Sequence, residues 1–138
     1  IPGFCRWLDS TPAKELAQLP GGEQWLSFPP PRDPVRSNLV DTTGGQQEAL
    51  TKLAAAYLTS TKPDSGRAID PVAHFHLSNG AQLARLNWMA DTSEKGLKQS
   101  AGLMVNYLYE LPKIVHRSQH YTTAGTVSQS PAIKKLLK

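Results

Sequence analysis

Apolar positions recur along the chain in blocks, separated by polar or glycine- and proline-rich stretches. The most regular block runs from Gln46 to Thr59. Leu50, Leu53, Tyr57 and Leu58 follow the three-four spacing of one buried stripe, and Ala54, Ala55 and Ala56 favour helix, so this segment is predicted helical. Nearer the start, Phe4, Trp7, Leu8, Leu16 and Leu19 predict a short helix from Gly3 to Leu8 and another from Thr11 to Gln18. Ser10 or Thr11 caps the second, and Pro12 suits its first turn. Between these blocks, the stretch 21–45 holds Pro29-Pro30-Pro31, Pro34, Gly44 and Gly45. It reads as an irregular crossing loop with a stiff proline connector.

The densest stretch runs from Asp70 to Asp91. Asp70 is a good N-cap and Pro71 is preset for the first helical position. Asn79-Gly80 tolerates the left-handed conformation that ends a helix. Pro71 to Ser78 is therefore predicted to be a helix of about two turns. From Gln82 to Ala90 the pattern alternates and predicts a strand. Ala84, Leu86, Trp88 and Ala90 would share one face, and Leu83, Arg85, Asn87 and Met89 the other.

Asp91, with Glu94 three residues on, reads as the capping box of a long helix. Leu97, Ala101, Met104, Leu108 and Leu111 would be its buried stripe and Pro112 its end. On that helix Asn106 and Tyr109 would face the same way. Lys113 to His120 continues as a separate helix, Gly125 breaks the chain, and Ser130-Pro131 starts a final helix to Leu137.

Composition narrows the classes. The chain has 138 residues, of which 39% are hydrophobic, enough for one modest core in one domain. The net charge of +4 suits an anionic ligand but falls short of a nucleic-acid signature, because the basic residues are scattered. One cysteine, Cys5, excludes an intrachain disulfide framework. No apolar run approaches the roughly 20 residues that span a bilayer. No Walker loop, dinucleotide fingerprint or hydrolase serine elbow is present.

Four histidines carry the candidate chemistry. His74 and His76 form the H-x-H pattern of a metal pair, but residues two apart on a helix lie about 200° apart and cannot share an ion. His116 and His120, four apart, could chelate on one face, yet no acidic or cysteine cluster joins them. His76 stands at the end of a short helix, beside a glycine turn and a strand, where sites often form. Its plain alternative is a half-buried histidine that bonds a carbonyl. Asn106, Tyr107 and Tyr109 read either as a polar edge of the core or as a hydrogen-bonding wall facing a ligand.

With these residues in view, the chain resembles the C-terminal catalytic part of the malonyl-CoA decarboxylases. The likeness rests on Ile1-Pro2-Gly3-Phe4 followed by Trp7-Leu8, on Asp70 to Asp91, on Ser93, Gly96, Ser100 and Gly102-Leu103-Met104, and on Asn106-Tyr107 with Tyr109. The resemblance implies an α/β fold, the second half of an acetyltransferase-like (GNAT-like) domain, mostly helical with a small sheet. It implies decarboxylation of malonyl-CoA to acetyl-CoA without a cofactor or metal. His76, not His74, would protonate the enolate and Tyr109 would assist, with Asn106 and Tyr107 at the substrate. The family's serine or threonine hydroxyl would precede Ile1. Because Ile1 reads like the middle of a motif, the chain is expected to be an incomplete catalytic fragment lacking the upstream helical domain and the CoA-binding half. The family also implies homo-oligomers and a bacterial cytoplasm or mitochondrial matrix; the ending Leu136-Leu137-Lys138 is not a peroxisomal address. A CoA-dependent acyltransferase, a noncatalytic helical interaction domain and a metal-dependent hydrolase are the alternatives.

Overall fold

A computed structural model describes residues 1–28 and 45–138. Short helices dominate. In chain order they are α1 (Phe4–Ser10), α2 (Ala13–Leu16), α3 (Gly22–Leu26), α4 (Gly45–Thr59), α5 (Pro71–Ser78), α6 (Glu94–Ser100), α7 (Ile114–Ala124) and α8 (Pro131–Leu136). Two strands, β1 (Gln82–Asn87) and β2 (Met104–Leu108), pair antiparallel, and a 3₁₀ turn covers Leu111–Lys113. The part of the expected irregular loop that is described holds α3, whose Trp25 is buried. The tri-proline lies outside the described residues.

The core gathers around α4. Ala49, Leu50, Leu53, Ala54, Ala55 and Leu58 are buried there, together with Phe4, Leu8, Trp25, Leu77, Leu83, Leu103 and Ile133. The predicted stripe on this helix is real, and the alanines widen it so that neighbouring elements approach closely. The chain is α/β in the sense of many helices around one small sheet.

α5 is fixed at both ends as its sequence demands. The Asp70 side chain accepts a hydrogen bond from the Ala73 N–H at 2.9 Å, with Pro71 in the first turn. After Asn79 the chain leaves the helix through Gly80 at φ +90°, and a β-carbon there would collide with the Ile114 carbonyl oxygen of α7. Glycine thus permits both the left-handed turn and the close seating of α5 on α7.

The long helix predicted from Asp91 is not formed. Ser93, rather than Asp91, caps α6, its Oγ accepting from the Gly96 N–H at 3.0 Å. The Asp91 carboxylate instead accepts from the Ser93 hydroxyl and N–H, which hold it below its ordinary pKa. Left-handed Ala101 and Gly102 then end α6, and Met104–Leu108 becomes a strand. In this segment the three-four spacing coincided with a two-residue alternation, which Val105 and Tyr107 favour, and the turn at Ala101 and Gly102 together with pairing to β1 decides for strand. The supposed stripe members Met104, Leu108 and Leu111 are exposed, Leu111 by 84%.

The first strand is shorter than predicted and irregular. Leu83 pairs with Tyr107 and Arg85 with Asn106, so Ala84 is an extra residue in the ladder. This bulge turns Leu83 to the buried face with Leu86 and leaves Arg85 exposed, against the strict alternation expected. The outer edge of β1 is held by residues 128–130: Leu83 N–H donates to the Ser128 carbonyl and Ser130 N–H to the Leu83 carbonyl. Ser130 also caps α8, as the sequence predicts.

Candidate active site

His74 and His76 diverge around α5. His74 Nδ1 lies 2.7 Å from the Tyr121 hydroxyl on α7, and that hydroxyl accepts the Ala68 N–H at 2.7 Å. Accepting a backbone donor leaves the Tyr121 proton free to bond His74, so this contact ties α5 to α7. His76 turns the other way, towards β2. Its Nδ1 is 2.6 Å from the Tyr109 hydroxyl, and its ring lies on Tyr107 with centroids 4.1 Å apart and planes 18° apart. Phe75 closes the other side edge-on at 5.1 Å.

The strand explains why these tyrosines meet the imidazole. Residues two apart on a strand share a face. Tyr107 in β2 and Tyr109 just past its end both reach the imidazole, whereas on the predicted helix they would have diverged. Asn106 is corrected by the same geometry. It points to the opposite face, where its Oδ1 accepts from Asn87 Nδ2 at 2.6 Å. It does not face His76.

At the start of α5 lies a polar group that sequence reasoning treated only as a cap. Asp70 is 1% exposed, and besides capping α5 it accepts the Tyr57 hydroxyl at 2.8 Å. Burial, followed by the hydrogen bond and charge of Asp70, pushes the Tyr57 hydroxyl well above its ordinary pKa. Burial and then the Asp70 charge do the same to Tyr107, whose hydroxyl is buried without a hydrogen-bond partner. Gly3 comes so near that a β-carbon would lie 2.5 Å from the Tyr57 hydroxyl, which accounts for the glycine in the opening motif. The available signal was a tyrosine within a leucine-alanine stripe, since a buried tyrosine needs a partner for its hydroxyl.

These two phenols make the fold sensitive to alkali. Their folded pKa values exceed the unfolded value of about 10, so their contribution is whole below that pH and is lost as pH rises through the raised values. Replacing Tyr57 by Phe should reduce the fall in urea midpoint between about pH 9 and pH 11. An unchanged pH slope would contradict this account.

His76 stands on an open face walled by Tyr107, Tyr109 and Phe75. A wide cleft of about 1070 Å³ between α1 and α6 is walled by Arg6, Asp9, Glu94, Lys95 and Lys98, mixed in sign and without a histidine. His116 and His120 have ring centroids 4.1 Å apart. No group of three or more His, Cys, Asp or Glu able to hold a metal occurs among the described residues. What the His76 face offers is an imidazole with one nitrogen engaged, the other available, and its ring plane held by aromatic neighbours.

A family model described as the malonyl-CoA decarboxylase C-terminal domain matches residues 1–138. The chain is 34% identical to the mitochondrial malonyl-CoA decarboxylase of Rattus norvegicus, over 99% of this chain and 31% of the relative. It thus spans about a third of that relative's length. Among solved structures, the malonyl-CoA decarboxylase from Cupriavidus metallidurans superposes with a TM-score of 0.84 at 35% identity, over 99% of this chain and 37% of that one. The enzyme from Rhodopseudomonas palustris gives 0.76 at 35% identity, over 100% of this chain and 32% of that one.

Proposed function

The chain belongs to the malonyl-CoA decarboxylase family, as its C-terminal domain, and from that premise we propose that the full-length protein converts malonyl-CoA to acetyl-CoA and CO2 with His76 as the acid. The C–C bond to the carboxylate breaks, CO2 leaves, and the electron pair passes into the thioester carbonyl as an enolate. The α-carbon then takes a proton. The imidazolium of His76 gives it from Nε2, and the resulting neutral ring regains a proton from water.

The observation that carries this assignment is the 2.6 Å contact between His76 Nδ1 and the Tyr109 hydroxyl. With Nδ1–H donated to that oxygen, Nε2 is the nitrogen left to face substrate. Tyr107 holds the ring plane by stacking, which makes it a positioning residue in this reading rather than a substrate ligand. The serine or threonine hydroxyl and the loop that cradles the CoA pyrophosphate belong, in this reading, to the part of the relatives outside the match. The chain would then be the second half of a GNAT-like domain. A bacterial cytoplasm or a mitochondrial matrix suits it, the rat relative being mitochondrial by name. Among the described residues no helix is long and apolar enough to cross a membrane.

The test uses Tyr109→Phe in the full-length protein. Loss of one orienting hydrogen bond, about 1.4 kcal/mol, should lower kcat about tenfold with KM little changed. Acetyl-CoA and CO2 should form from malonyl-CoA without an added acceptor, which an acyltransferase would require. Full turnover in Tyr109→Phe would remove the tyrosine from the mechanism.

A further inference from the structure

We propose that the basic cavity between α7 and α8 binds a phosphate-bearing anion, at a site separate from the His76 face. The cavity measures about 520 Å³, and Lys113, His116, Arg117, His120, Gln129 and Lys134 stand in its wall. No carboxylate lines it. These residues come from three places: α7 and the turn before it, the segment that borders β1, and α8. A solvated helix face runs along a single element. Here the neighbouring elements bring their own donors to the same space.

The charge is undercompensated. Glu110 is the carboxylate that reaches this wall, and it is shared, 3.3 Å from Lys113 Nζ and 3.5 Å from Arg117 Nη2. The Arg117 side chain is 12% exposed, and its Nη1 has no hydrogen-bond partner. Gln129 Oε1 is also buried and unpartnered. Leaving the Arg117 N–H donor unsatisfied costs free energy that a ligand rich in acceptors would recover, while the Gln129 oxygen needs a donor of its own. The imidazoles of His116 and His120, with centroids 4.1 Å apart, add two more donors. Three permanent cations and two imidazoles suit a group carrying more than one negative charge and several oxygens, which is phosphate chemistry rather than a single carboxylate.

The phosphate has two sources: free phosphate or diphosphate, or the phosphate of a CoA thioester. Gln82, also in the wall, pairs with Leu108, the residue before Tyr109, so the cavity adjoins the end of the sheet next to the tyrosine that bonds the candidate acid.

Calorimetry on the full-length protein tests the site with inorganic pyrophosphate, a readout independent of turnover and hence of the decarboxylase reading. The wild type should bind it saturably. The double variant His120→Gln/Lys134→Gln, altered at two exposed side chains, should bind at least about tenfold more weakly with an unchanged melting temperature. CoA and dephospho-CoA, which lacks the 3′-phosphate, separate the sources. An advantage for CoA that disappears in the variant assigns the site to the substrate's phosphate; an advantage that survives while pyrophosphate binding is lost assigns it to free phosphate. Absence of saturable pyrophosphate binding, or affinity unaltered in the variant, overturns the proposal.

Discussion

His76→Gln in the full-length protein is expected to lower kcat for acetyl-CoA formation by about 10²–10⁴, the range for loss of a positioned general acid. KM should move little, because the proton is delivered in the transition state and not in the ground-state complex. His76 is half-buried and caps nothing, so the variant should fold. The informative control is His74→Gln, two residues away on the same helix. That change breaks the 2.7 Å contact with Tyr121 and should lower thermal stability while leaving kcat in place, because its ring faces α7 and not β2. If both variants lose turnover equally, the loss reflects damage to α5. If His76→Gln retains wild-type turnover, the acid lies elsewhere.

The two histidines also measure how far the sequence alone could reach. Asp70-Pro71 and Asn79-Gly80 mark the ends of α5 by local chemistry, since a cap, a preset φ and a left-handed stop act within a few residues. That local certainty was enough to separate His74 from His76 and so to reject a shared metal. The partners of His76 were harder to read. Tyr107 and Tyr109 stand together on the imidazole only because Met104–Leu108 is a strand. The apolar positions in that segment satisfy a helix and a strand alike. The choice was made by Ala101 and Gly102, whose left-handed turn ends α6, and by the pairing of β2 with β1. Pairing depends on residues about twenty positions away and is not a property of the segment. The bulge at Ala84 is similar, because residues 128–130 tie the far edge of β1 from much later in the chain. The expected shared face of Asn106 and Tyr109 failed through the same ambiguity: three residues before Tyr109 means the same side of a helix but the opposite side of a strand.

Asp70→Ala is expected to be the most destabilising single change in the neighbourhood of the site. It removes the cap of α5, worth about 1 kcal/mol. It also strands the Tyr57 hydroxyl, now bonded to Asp70 at 2.8 Å, in a buried position, at about 1–3 kcal/mol. A total of about 2–4 kcal/mol corresponds to a fall in Tm of roughly 6–12 °C for a domain of this size. Asp70→Asn keeps an acceptor for the Ala73 N–H but turns an amide donor towards the Tyr57 hydroxyl, so its loss should be intermediate. Adding Tyr57→Phe to Asp70→Ala removes the stranded hydroxyl and should recover about 1 kcal/mol or more of the deficit. The double-mutant cycle therefore distinguishes a buried hydrogen-bonded pair from a cap alone, and strictly additive effects would show that Tyr57 does not depend on Asp70. Because α5 is seated through Asp70 and carries His76 one turn and a half further on, the same variants should reduce turnover at temperatures below their melting. That loss follows from the imidazole leaving the plane of Tyr107, so in Asp70→Ala it should grow with temperature before the global transition begins.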